Sequence, residues 1–238
     1  MRCRIYVNTD MQAGARIDID AEQAKYLRQV MRLQAGDWIT VFNGDGGEFE
    51  AELTFLAKAG GQCVLHAFVD VSRELPCRVH IIQAANRSEK IEVVLQKATE
   101  MGAASFQVVC SERATFRLPR CKQDKRLQRW QKIITEAAEQ SERTAVPQVV
   151  WHDRPSQVRK FGQAFVLHPK GAKRWQDTRD IFSQTENITL AIGPEGGWTD
   201  QELSLFQEQG FESLVFGARV MRTETAAPAL LAAIQAVL

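Results

Sequence analysis

Residues 187–203 read NITLAIGPEGGWTDQEL. A mostly apolar run from Asn187 to Ile192 enters a Gly-Pro-Glu-Gly-Gly turn, and continuous β-branched and aliphatic runs of this kind suit strands buried on both faces. Beyond the turn, Thr199 can cap a helix and Glu202 can reach back to close a capping box. The stretch predicts strand, tight loop and helix in succession.

The same rhythm extends in both directions. VHIIQAA (79–85), FQVVC (106–110), QVVW (148–151), AFVLH (164–168) and SLVFG (213–217) are further strand-like runs. Helical periodicity fills the spaces between several of them. Ile91, Val94, Leu95, Ala98 and Met101 mark a helix over 89–101, with Gly102 as its stop. Leu127, Trp130, Ile133, Ile134, Ala137 and Ala138 mark a longer one, a third runs from Thr199 to Gly210, and the last starts near Thr225 with Pro228 in its first turn. Strands alternating with helices predict an α/β layer with a mainly parallel sheet.

Upstream of the polar join SRELP (72–76) the pattern changes. RCRIYV (2–7), ARIDID (15–20), DWITVF (37–42), EFEAELTFL (48–56) and QCVLHAFVDV (62–71) are short β-like segments, interrupted by one helix near 21–31. They predict a small barrel-like domain, which gives two domains, 1–73 and 74–238.

Composition narrows the function. A hydrophobic fraction of 45% suits a globular chain, and a net charge of +1 means that any polyanionic partner must be met by a local patch. Five scattered cysteines without a CxxC pair argue against a disulfide framework or zinc site and for a reducing cytoplasm. No apolar leader follows Met1, and the longest apolar run, 226–238, is shorter than the roughly 20 residues of a membrane span. The four histidines lack metal-ligand spacing, so no metal is expected; His66, His80 and His152 read as structural.

Three segments share one design, a strand-like run followed by a loop rich in Gly, Pro or polar residues: AFVLHPKG, LAIGPEGGWTDQE and LVFGARVMRTET. Ligands of open α/β sheets gather beyond the carboxyl ends of strands, so the three loops predict one pocket. The middle loop is neither a dinucleotide fingerprint nor a P-loop, and Glu195 disfavours phosphate, which leaves a neutral or cationic ligand or a plain strand-to-helix turn. The last loop gathers Arg219, Arg222, Thr223 and Glu224; a solvated connection with a capping threonine is the alternative. Between Arg113 and Lys132 lie eight basic residues against Asp124 alone, a stripe that suits a phosphate backbone or a solvated face.

LHP (167–169), IGPEGG (192–197) and RVMRTETAA (219–227), in that order, resemble the bacterial 16S ribosomal RNA uridine N3-methyltransferase family of the SPOUT superfamily. NRSEKIEVVLQKATEMG (86–102), WQKIITEAAEQSER (130–143) and YLRQVMRLQAGDWITVFNGDGGEFEAEL (26–53) are similar to its other signatures. Ala218, Tyr26 and Met221 depart from it, standing where proline, histidine and leucine are common. The resemblance implies a PUA-like RNA-binding β-barrel followed by an α/β methyltransferase domain with a C-terminal trefoil knot, working as a homodimer. It implies S-adenosylmethionine as cofactor, walled by Leu167, Ile192, Phe216, Val220 and Met221, with polar contacts from the loops at His168 and Pro169, at Gly193, Pro194, Glu195, Gly196 and Gly197, and at Gly217. The substrate is then a uridine of 16S rRNA in the small subunit. Arg222 would stabilise a uracil carbonyl, unless it is tied up in a salt bridge with Glu224. Glu224 is the first candidate base, ahead of Glu195 and His168, and Thr223 orients the loop. RNA contacts would come from Arg2, Arg4, Arg28 and Arg32, and from Arg87, Lys90 and Arg113. A SPOUT ribose 2′-O-methyltransferase and a non-catalytic RNA-binding assembly factor are the competing readings.

Overall fold

The structure, a computed structural model, describes residues 3–238. The chain divides into two compact units, 1–74 with 138–146, and 75–137 with 147–238.

The first unit contains β1 (Arg4–Tyr6), β2 (Arg16–Ile19), α1 (Ala21–Gln29), β3 (Trp38–Phe42), β4 (Glu48–Ala57) and β5 (Gly60–Val69). They form a five-stranded sheet in the order β1-β3-β4-β5-β2, antiparallel except for the parallel pair β1–β3. Period-two alternation builds its core: in β4, Phe49, Ala51 and Leu53 point inward while Glu48, Glu50 and Glu52 alternate with them. Ile5, Ile39, Val41, Leu65 and, from α1, Ala24 and Leu27 complete the cluster. Asp20 caps α1 by accepting from the Gln23 N–H at 2.7 Å. Residues 138–146 belong to this unit through Glu139, which accepts from the Tyr6 N–H at 2.8 Å, and through Arg143.

The second unit contains β6 (Arg78–Ala84), α2 (Ser88–Glu100), β7 (Ala103–Val109), α3 (Arg120–Gln140, its last turn in the first unit), β8 (Gln148–His152), β9 (Gln163–Leu167), β10 (Lys173–Arg174), α4 (Arg179–Gln184), β11 (Asn187–Ile192), α5 (Asp200–Glu208), β12 (Glu212–Val215) and α6 (Thr223–Gln235). Its seven strands are all parallel, in the order β10-β12-β9-β11-β6-β7-β8. β11 lies near the centre, between β9 and β6, and is buried from Ile188 to Ile192, which is why its sequence is apolar without alternation. The expected strands and the helices over 89–101 and 199–210 are present; β10 and α4 are additional. α6 starts at Thr223 rather than near Thr225, so Pro228 lies inside the helix. Having no N–H, Pro228 leaves the Glu224 carbonyl without its helical partner.

Among the described residues no helix is long and apolar enough to cross a membrane, and no group of three or more His, Cys, Asp or Glu side chains is placed to hold a metal ion.

Candidate functional site

Parallel strands send their carboxyl ends to one edge of the sheet, and β12, β9 and β11 are neighbours there. Their register pairs Leu167 with Leu214, and Ile192 with Gln83 of β6. The loops that leave Leu167, Ile192 and Val215 therefore start side by side. They enclose one cleft of about 800 Å³.

Leu167, His168 and Pro169 line it from the first loop, Ile192 and Gly193, Pro194, Glu195, Gly196 and Gly197 from the second, and Phe216, Gly217, Val220, Met221, Arg222 and Thr223 from the third. Lys90 and Arg113 join them from α2 and from the segment after β7. Glu224, which follows Thr223, is not among the residues that line it. Sequence reasoning overlooked Trp198, which also lines the cleft and is 4% exposed; an aromatic residue directly after a Gly-Gly turn was the available signal.

Gly193 is needed for close approach. A Cβ there would lie 3.1 Å from Trp198 Nε1, tighter than ordinary packing. Gly197, at φ +70°, turns the chain into α5 through a conformation that side chains resist. Thr199 then caps α5, with Glu202 completing the capping box. The second carboxylate oxygen of Glu202 accepts from the Glu112 N–H at 2.8 Å, which ties the β7–α3 segment to the same loop, and Arg113 donates to the Gly196 carbonyl at 2.9 Å.

A buried polar chain fixes the third loop. Gln83, 1% exposed, donates to Thr223 Oγ1 at 2.7 Å, and that hydroxyl donates to the Gly193 carbonyl at 3.0 Å. Thr223 thus locks the start of α6 to the glycine-rich loop instead of capping the helix. The neighbouring Arg222 is exposed in the cleft and makes no ion pair among the described residues. The salt bridge between Arg222 and Glu224 is therefore not formed. Glu224 turns to Lys90, whose Nζ is 3.5 Å from Glu224 Oε2 and in direct contact with Glu195 Oε1. The Glu195 contact, with the nearby Asn86 amide and Arg87 charge, holds the Glu195 carboxyl below its ordinary range, and the same contact raises the Lys90 ammonium.

The expected RNA contacts separate sharply. Arg87 and Arg113 are exposed, Lys90 is half-buried, Arg28 is half-buried at the end of α1, and Arg32 is exposed at φ +57°. Arg2 lies outside the described residues. Arg4 does not fit an RNA-facing role: it is 8% exposed, pairs with Glu48, donates to the Arg143 carbonyl at 2.8 Å and sits over the Phe42 ring. Its charge is spent inside the fold. In the basic stripe, Arg126 and Arg129 are partly neutralised by Glu92 of α2. The buried thiols of Cys3, Cys63 and Cys77 are pushed up to about 11 by burial, which makes them poor nucleophiles.

A cleft of backbone-rich loops at the carboxyl edge of a parallel sheet, with a small β unit in the same chain, defines a ligand-binding α/β protein with an accessory β domain. The chain belongs to the RNA methyltransferase family, whose domain model matches residues 73–235; a model described as an RNA methyltransferase PUA domain matches residues 19–64. It is 36% identical to the ribosomal RNA small subunit methyltransferase E of Synechocystis, over 100% of this chain and 78% of the relative. It is 31% identical to that of Bacillus subtilis, over 87% and 85%. Among solved structures it is similar to the Neisseria gonorrhoeae ribosomal RNA small subunit methyltransferase E bound to S-adenosyl methionine, at 30% identity and a TM-score of 0.90, covering 100% of this chain and 98% of that one. A Legionella pneumophila protein in complex with SAM matches at 32% identity and a TM-score of 0.90, over 99% and 98%.

Proposed function

We propose that this chain is an S-adenosylmethionine-dependent methyltransferase that modifies N3 of a uridine in the 16S rRNA of the small ribosomal subunit. The observation that carries the reading is the three-loop cleft, in which Arg222, without an ion pair among the described residues, stands beside Thr223 locked in place. The relatives named as small-subunit rRNA methyltransferases, and the neighbours solved with the cofactor bound, support the rRNA substrate and the cofactor in this reading.

The residues present suit the cofactor. The cleft's volume lies within the range of about 300–1,000 Å³ that small-molecule sites occupy. Leu167, Ile192, Phe216 and Met221 offer apolar wall, and the backbone of the glycine-rich loop offers amides and carbonyls. S-adenosylmethionine, when bound, supplies an electrophilic methyl group.

The protein's own task concerns the uracil. N3 carries a proton at neutral pH, so a base must take it while a donor stabilises the negative charge that spreads to the carbonyl oxygens. Arg222 is suited to donate, since a guanidinium is permanently charged and is no base. A carboxylate takes the proton: Glu224, which follows the lining residue Thr223, before Glu195, which lines the cleft, with His168 as the remaining alternative. RNA contacts are assigned to Arg28, Arg32, Arg87 and Arg113, acting on phosphates; Lys90, expected among them, is engaged by Glu195 and Glu224. The target nucleotide leaves its stack to expose N3. This reading carries with it the homodimer, the trefoil knot and the cytoplasmic setting that the resemblance implies.

Transfer of labelled methyl to small subunits, followed by nucleoside analysis, tests it. Label in 3-methyluridine is expected. Label on a ribose 2′-oxygen would move the protein to the other SPOUT class, and an absence of both cofactor binding and transfer would leave an RNA-binding assembly factor.

A further inference from the structure

The carboxyl edge of the parallel sheet carries a second cleft, of about 390 Å³, that the chemistry above does not use. It opens where β7 and β8 end: Ser111 and Glu112 line it just beyond the one strand, Asp153 and Arg154 just beyond the other, and Arg117 and Glu202 of α5 complete it. The two clefts adjoin. Glu112 lines the second and Arg113 the first, and the Glu202 carboxylate that completes the α5 capping box accepts from the Glu112 N–H at 2.8 Å.

The lining sets donors against acceptors. Arg117 and Arg154 are exposed, and neither forms an ion pair among the described residues. Asp153 is held through Oδ1, which accepts from Trp151 Nε1 at 2.8 Å and Gln123 Nε2 at 3.4 Å, and no hydrogen bond among the described residues uses its Oδ2. Glu202 is spent on the Thr199 and Glu112 N–H groups. Ser111 is 1% exposed, and its Oγ is buried without a hydrogen-bond partner among the described residues, a cost that a ligand bonded there removes.

Three carboxylates against two guanidiniums disfavour a free phosphate. A nucleobase with both kinds of edge fits better, and guanine has them: O6 and N7 accept on one side, and N1–H and the amino group donate on the other. Arginine pairs with the first edge, and a carboxylate, which only accepts, pairs with the second. Single-stranded RNA is read through splayed-out bases of this kind. We propose that the second cleft binds a guanine of the RNA substrate beside the target uridine, with Arg117 and Arg154 on its O6 and N7 edge and Asp153 Oδ2 accepting from its N1–H and amino group. The identity of the RNA rests on the methyltransferase reading above; the base preference rests on the lining.

The test uses full-length protein saturated with S-adenosylmethionine, so that the first cleft is filled, and the 5′-monophosphates of guanosine, inosine, adenosine and uridine as probes. The Trp151 indole N–H, bonded to Asp153, reports occupancy by NMR. Guanosine monophosphate shifts that resonance saturably, and inosine monophosphate, which lacks the amino group, binds about fivefold more weakly or worse. The adenosine and uridine probes leave the resonance in place, and Asp153→Asn, Arg117→Gln and Arg154→Gln each weaken the guanosine response. In methyl transfer to small subunits, kcat/KM falls about tenfold in each variant, while cofactor affinity by calorimetry and the urea midpoint stay at wild-type levels. An equal response to all four probes, a response to none, or wild-type kcat/KM in the variants would overturn the proposal. A fall in kcat/KM with no nucleotide response would place a protein of the subunit in the cleft and overturn it equally. Failure of the underlying reading is distinct: wild-type protein would then make no 3-methyluridine, whatever the mononucleotides do.

Discussion

Single residues carry the chemistry, and two arginines show how far a sequence can assign them. Arg4 and Arg222 both stand next to apolar positions and both read as candidates for contact with RNA or substrate. Arg4 is turned inward by Glu48, a partner 44 residues away, while Arg222 has no such partner among the described residues and remains in the cleft. No local pattern encodes that difference, because it depends on which strands pair. Gly193 was legible as a close-approach position, although its reason, the Trp198 ring beneath it, was not. Lys90 was legible as a basic residue near the site, but its two carboxylate partners come from the glycine-rich loop and the first turn of α6, about a hundred residues or more away. At this scale, Arg222→Ala is expected to lower kcat by about 10²–10³, the usual cost of losing one donor to a developing oxyanion. Calorimetry should show cofactor affinity within about threefold of wild type. Full turnover in the variant would remove Arg222 from the mechanism.

Elements were the most legible scale, since most of the strands and helices follow from periodicity and capping. The capping box of α5 was readable to the residue, as Thr199 and Glu202. The two-residue β10 and the six-residue α4 were not, because neither is long enough for an apolar period to stand out. The start of α6 was displaced because Thr223 spends its hydroxyl on the Gly193 carbonyl, a bond across 30 residues, rather than on its own helix. Thr199→Ala should cost about 1 kcal/mol of stability, the typical value of an N-cap, read from urea unfolding. Thr223→Val breaks the chain from Gln83 to Gly193 and should cost about 1–3 kcal/mol, because it leaves buried polar groups unsatisfied. The two variants should differ in function. Thr199→Ala retains most of its cofactor affinity, whereas Thr223→Val, which loosens two loops of the cleft, weakens binding and turnover together. Equal cofactor affinity in both would show that the Thr223 bond does not organise the cleft.

The whole molecule was legible as two kinds of sequence rhythm, alternating strands first and α/β repeats after. The strand order β10-β12-β9-β11-β6-β7-β8 was not, nor was the return of 138–146 to the first unit, since both are long-range facts. One consequence of that order is a histidine spanning three strands. His80 of β6 faces Ser105 of β7 at 2.8 Å through Nδ1 and the Asn187 amide oxygen of β11 at 3.2 Å through Nε2, and it packs on the Phe161 ring. The Asn187 oxygen can only accept, so the neutral ring donates from Nε2 and accepts from the Ser105 hydroxyl at Nδ1. Burial first, and Arg78 after it, lower its pKa from the ordinary 6.5; burial and Arg159 likewise lower that of His152. Below 6.5 the unfolded chain binds protons that the folded chain refuses, so stability should fall as pH drops from 6.5 toward the depressed folded values. Urea unfolding followed between pH 7 and pH 5, as a rough working window, should show this slope, and His80→Gln should flatten it. A slope unchanged in that variant would assign the effect elsewhere.

The proposed reading assigns the cleft, Arg222 and the carboxylates beside it one joint task, placing the methyl group on the uracil ring. The most direct measurement is incubation of the full-length protein with small ribosomal subunits and methyl-labelled S-adenosylmethionine, followed by digestion to nucleosides and separation of the labelled products. Label co-migrating with 3-methyluridine, and lost in Arg222→Ala, is the expected result. Label on ribose, on another base, or undiminished in Arg222→Ala would contradict it.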